Sequence, residues 1–289
     1  KRTGSENIGS NKQSGTDSDK KKEIFTHRRS RSEMPVSSMM MPEPISPTHD
    51  IIDIIRGHLH FASSKYSLEK NSFFDSVEKQ SVSRSVLAKK ISYLFFVVEH
   101  WTDHLQKFAT EVIGSATVMQ GIRTEFRAIE SVGIMSDIIR TEKYKQKGQS
   151  KQANFVSLLT SLGFSDDLEI ISPVMKFISE LDKLFLSKNN IQFHACVLGG
   201  IQHFNQKISN FMVEYLKPYL FKPQRFYTQV TKPNSPEECS DVISEPITKD
   251  FFMIARNHGA TSEDFQLGID RGYELINDLY CGIGNEICE

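Results

Sequence analysis

The residues best suited to chemistry in this 289-residue chain are its histidines. His100 and His104 stand at i and i+4, which puts both imidazoles on one helical face, with Glu99 and Asp103 beside them. A metal ion can use that geometry. The same spacing also arises on any solvated face of a charged helix, and that is the reading the sequence favours. His194 and His203 are nine positions apart, about two and a half helical turns, so they are expected to point to opposite sides. Cys196 follows His194 by two positions, and residues so spaced on a helix do not face each other; a buried structural thiol is expected there. Glu263-Asp264 reads as the acidic pair of a helix N-terminus rather than a metal site.

The aromatic set Phe95, Phe96, Trp101 and Phe108 has the spacing of a helix stripe. Such a stripe can line a ligand cavity, but it is more often core. The four cysteines (Cys196, Cys239, Cys281, Cys288) lack Cys-x-x-Cys spacing, so neither a zinc site nor a disulfide framework is indicated. They read as the reduced thiols of an intracellular protein, cytoplasmic or organellar. A net charge of −1 with 25% charged residues gives no global pull toward nucleic acid or membrane. The local exceptions are Lys20-Lys21-Lys22 and Arg28-Arg29-Ser30-Arg31. They read as a solvated basic tail or a transit remnant, with a nuclear-type or anionic-surface patch as the alternative. No apolar run approaches the roughly 18–20 residues a bilayer requires.

Positioning these side chains requires helices. Residues 1–47 are dominated by Ser, Lys, Arg, Asn, Gly and Pro and bury too little apolar surface to offset ordering entropy, so a disordered tail is expected. Residues 48–289 are expected to form one all-α domain. Ser46-Pro47-Thr48 signals a helix start, and Ile51, Ile52, Ile55, Leu59 and Ala62 then recur on one face. A short segment follows over Ser67 to Glu78. Ser83 to Ile113 reads as one long helix, with Gly114 as its stop. Further helices are expected over Thr117–Arg140, Ala153–Leu162, Pro173–Phe185, Ile191–Leu220, Thr248–Asn257 and Ser262–Ile283, with a Pro-rich loop over Lys222–Pro246.

This order resembles the haem-oxygenase-like fold, and within it the iron-containing redox branch that includes the chlamydial death-domain-associating protein. Three places carry the resemblance: the short bulky segment and aromatic-rich helix over Asn71–His100, the Arg-acidic-Gly pattern over Arg123–Gly133, and Gly199–Ser209 (GGIQHFNQKIS). It covers roughly Thr48 to Ile283. The resemblance implies a multi-helix bundle with two irons held by carboxylates and histidines on facing helices. Carried over residue by residue, most of that ligand set is missing. Glu130 matches the first acidic position, but no His follows in the next turns. Phe204-Asn205 stands where an aromatic-Glu pair is expected. After Phe251-Phe252 only His258 survives, out of register.

Three functions follow as expectations. The first is a non-catalytic or weakly catalytic binding module with no cofactor, its metal ligands lost, acting on a protein or small-molecule partner; a second copy of the chain is a candidate partner. The second is a non-haem iron oxidase with a rewired site using Glu130, His258 and His203, with Asp137 as a substitute. The third is a haem-handling protein with His60 as axial ligand and Gly199-Gly200 allowing close backbone approach to the haem. Whether the chain is an enzyme stays open at this level.

Overall fold

Ten α-helices and two short 3₁₀ turns make up the described part of a computed structural model, which covers residues 48–118, 122–143, 151–186, 190–219 and 246–287. Among the described residues there is no strand, and the chain is an all-α helical bundle. In chain order the helices are α1 (Thr48–Lys65), α2 (Ser72–Glu78), α3 (Arg84–Ser92), α4 (Leu94–Val118), α5 (Ile122–Lys143), α6 (Lys151–Leu162), α7 (Ser172–Lys183), α8 (Ile191–Tyr215), α9 (Pro246–Asn257) and α10 (Ser262–Asn285). Ser46–Glu289 form one compact unit. The tail expected to be disordered, residues 1–47, and the expected loop over 222–245 lie outside the described residues.

The helix ends follow local chemistry. The Asn71, Ser83 and Asn190 side chains accept from backbone N–H groups at the starts of α2, α3 and α8. Pro173 sits in the first turn of α7, where its missing N–H costs nothing. Thr261 and Asp264 close a reciprocal capping box on α10, which makes Asp264 of the acidic pair a cap. Gly163 ends α6 at φ 79° and Gly259 separates α9 from α10 at φ 84°, both in the left-handed region that favours glycine.

The long helix expected over Ser83–Ile113 is interrupted at Tyr93. There the Ser92 hydroxyl donates to the Lys89 carbonyl at 2.7 Å. Its second half runs past Gly114 to Val118, because an exposed helical glycine costs only about 1 kcal/mol and nothing opposes it.

At the centre, α10 packs along α8. Its buried face reads Phe265, Ile269, Tyr273, Ile276, Leu279 and Ile283. Glycines bring the two backbones together: a Cβ on Gly200 would lie 2.8 Å from the Ile269 carbonyl oxygen, and one on Gly272 would lie 2.8 Å from the Ile201 nitrogen. Helices α1, α2 and α7 pack on α10, α9 packs on α8, and α5 spans α4 and α9. Trp101, Leu105, Phe108 and Val112 form the buried stripe of α4. Among the described residues no helix is long and apolar enough to cross a membrane.

Candidate metal centre

Next to that buried stripe, one position earlier at each step, α4 carries a second one. His100, His104, Lys107 and Glu111 recur at steps of four, three and four, so they share one face. That face turns toward the last turn of α7 and the first turn of α8, which supply Asp182 and His194. His100, His104 and Asp182 each offer a ligand atom, and the three atoms lie within 4.8 Å of one another. His100 Nε2 is 3.3 Å and His104 Nδ1 is 4.0 Å from Asp182 Oδ1.

Burial makes this more than a surface cluster. The His104 side chain is 0% exposed, and its Nδ1 has no hydrogen-bond partner. His100 Nε2 is likewise buried without a well-aligned partner. The solvated-face reading of His100 and His104 is therefore corrected: α4 is deeper than its charge suggests, because Phe185 and His194 cover His104 at ring-centroid separations of 4.6 and 5.0 Å.

Behind His104 lies His194, whose Nε2 sits 2.8 Å from His104 Nε2. On its other side, His194 Nδ1 is 3.8 Å from Glu111 Oε2, longer than a hydrogen bond, so this nitrogen too is buried without a hydrogen-bond partner. Burial holds both imidazoles below their ordinary range, and for His104 the neighbouring His194 and His100 add to it. Both rings are thus neutral and able to ligate near pH 7. Lys107, Thr110, Glu111, Asp182 and Phe185 line an open cavity of about 540 Å³ beside the cluster. Lys107 Nζ donates to Asp182 Oδ1 at 3.4 Å from a side chain that is 55% exposed.

By residue type the donor set suits a transition metal. Bonds of about 2.0–2.1 Å put tetrahedral ligand atoms about 3.3 Å apart, the His100–Asp182 separation. The 4.0 Å separation of His104 from Asp182, and the trio's span of up to 4.8 Å, require the three side chains to draw inward around an ion. Two histidines and one carboxylate with open positions suit mononuclear non-haem iron.

The residues drawn from the family pattern fall elsewhere. Glu130 is exposed on α5 and accepts from Asn257 Nδ2 at 3.0 Å. His258 is half-buried in the turn after α9. His203 is buried against α10, its Nδ1 hydrogen-bonded to the Tyr273 hydroxyl, which also meets Ser63 Oγ at 2.9 Å. Asp137 pairs with Arg140 on the exposed face of α5. These residues do not meet as a three-ligand group; among the described residues His100, His104 and Asp182 do. The expected opposite facing of His194 and His203 is what the helix presents, one toward α4 and the other toward Tyr273.

His60, the haem candidate, is exposed on α1. Gly199 and Gly200 face Phe252 and Ile269, so protein fills the space their missing side chains leave. Trp101 and Phe108 are core, and Phe108 also packs on the His194 ring at 4.5 Å between centroids. Cys196 is fully buried.

Sequence reasoning singled out His100 and His104 but missed Asp182, Glu111 and the pairing with His194. The signal lay in α4: a polar stripe running one residue out of phase with an apolar one. No protein-family model and no curated protein matches this chain.

Proposed function

We propose that this protein binds a single transition-metal ion, as non-haem iron, through His100, His104 and Asp182, on a bundle of haem-oxygenase-like type whose metal site has been relocated. The observation that carries this reading is the buried, partnerless Nδ1 of His104 turned toward Asp182. Leaving such a nitrogen unsatisfied costs about 1–3 kcal/mol, which a bound ion would remove. Three protein ligands leave coordination positions free on the side of the open depression lined by Lys107, Thr110, Glu111 and Phe185. The ion would supply redox or Lewis-acid chemistry there, and His194 with Glu111 would hold the ligand ring in place.

The test is anaerobic Fe(II) or Zn(II) loading, dialysis and elemental analysis. About one ion per chain is expected, lost in His104→Ala and Asp182→Ala and kept in His258→Ala. Absence of retained metal, or retention unaffected by His104→Ala, overturns the proposal. The Lys107–Asp182 ion pair favours the second reading, a metal-free binding module in which Lys107 satisfies the carboxylate. That reading predicts no retained ion.

A further inference from the structure

The contact between His104 and His194 forces a choice of proton positions. Two ring nitrogens 2.8 Å apart must hold one proton between them, so one ring donates and the other accepts. In the first arrangement His104 donates from Nε2 and its Nδ1 carries a lone pair. His194 then accepts at Nε2 and carries its own proton on Nδ1, toward Glu111. In the second arrangement both protons move: His104 Nδ1–H points at Asp182, and a bare His194 Nδ1 faces Glu111.

The surroundings break this tie. Asp182 already accepts from the Lys107 ammonium at 3.4 Å. Among the described residues, Glu111 has only His194 as a basic group within 4.0 Å, at 3.8 Å and so an electrostatic neighbour rather than a formed hydrogen bond. The less compensated carboxylate gains more from an N–H donor, so Glu111 takes it. The first arrangement results, and it is the one in which His104 is a competent ligand.

We propose that His194 and Glu111 are positioning residues that lock His104 with its proton on Nε2, leaving Nδ1 as the metal-ligating atom. This rests on the metal-site reading above, but part of it is measurable without metal. A ligating histidine whose second nitrogen is held by such a partner loses about 10- to 100-fold in metal affinity when the partner is removed.

The experiment is nitrogen-15 NMR of the imidazoles in the metal-free full chain, paired with Zn(II) titration of the same samples. The wild type should show His104 protonated on Nε2 and His194 on Nδ1. His194→Leu should bind Zn(II) 10- to 100-fold more weakly, with His104 in mixed tautomers. His194→Gln, whose amide oxygen can still accept from His104, should recover most of the affinity. Glu111→Gln, at a half-exposed position tolerant of change, should shift the His194 tautomer even if His194→Leu folds poorly. A wild-type His104 protonated on Nδ1, or His194→Leu with unchanged affinity and tautomer, overturns the inference. Wild-type protein that binds no Zn(II) sinks the metal-site reading alone, since the metal-free spectra still decide the tautomers.

Discussion

His104 and His194 meet ring nitrogen to ring nitrogen at 2.8 Å, although they stand 90 positions apart in the chain. Both are held below the ordinary imidazole range in the folded protein by burial, whereas in the unfolded chain they titrate near pH 6.5. Below about pH 6.5 the unfolded state binds more protons, so stability is complete above that pH and is lost as the pH falls. The slope is about 1.4 kcal/mol per pH unit for each histidine. Urea midpoints should drop clearly between pH 7.5 and pH 5.5, and by less in His104→Leu. Equal midpoints at the two pH values would count against two buried neutral rings.

The glycines of the α8–α10 crossing make a separate prediction. A Cβ at Gly272 would press on the α8 backbone, which cannot yield as a side chain can. Gly272→Ala should cost about 1–3 kcal/mol and lower the Tm by several degrees. Gly133 is at an exposed position of α5 with open space around it, so Gly133→Ala should stabilise by about 0.5–1 kcal/mol. Thermal melts of the two variants should move in opposite directions; a shared direction would refute the packing account.

Tyr273 ties three helices through one hydroxyl, bonded to His203 on α8 and Ser63 on α1. Burial pushes its phenol well up, so it stays protonated across the working range. Tyr273→Phe keeps the ring stacked on Phe204 and removes only the oxygen. The expected loss is about 1–2 kcal/mol by chemical denaturation. A neutral substitution would mean that the hydroxyl contributes no net stability.

Cys196 should be inert. It is fully buried, and burial together with Asp264 raises its thiol well above the usual value, so little thiolate forms. Brief alkylation of the native protein followed by peptide mass spectrometry should find Cys281, which is half-buried, modified before Cys196. Early modification of Cys196 would show that α8 opens readily.

Much of the helix order was legible because each apolar stripe announces its own period. The interruption at Tyr93 was not, since no glycine or proline marks it in the sequence. The candidate site divides in the same way. The shared face of His100 and His104 is a local fact of helical spacing. That Asp182 and His194 arrive opposite it depends on how α7 and α8 pack against the rest of the bundle, which no local pattern encodes. The charged neighbours Glu99 and Asp103 made that face look solvated, yet they project to the side and leave His104 covered.

The glycine-lined crossing of α8 and α10 also fixes which parts can give way. Where the glycines set backbone against backbone there is no side chain to shear, and Tyr273 is pinned against Phe204 and His203, so the two helices cannot creep past one another by fractions of a turn. Together they behave as an anvil, and His194 is set into it at the first turn of α8. Any adjustment that tightens the cluster around an ion must therefore come from the opposite jaw, the C-terminal turn of α7 and the outer face of α4, which Lys107, Asp182 and His100 already bridge.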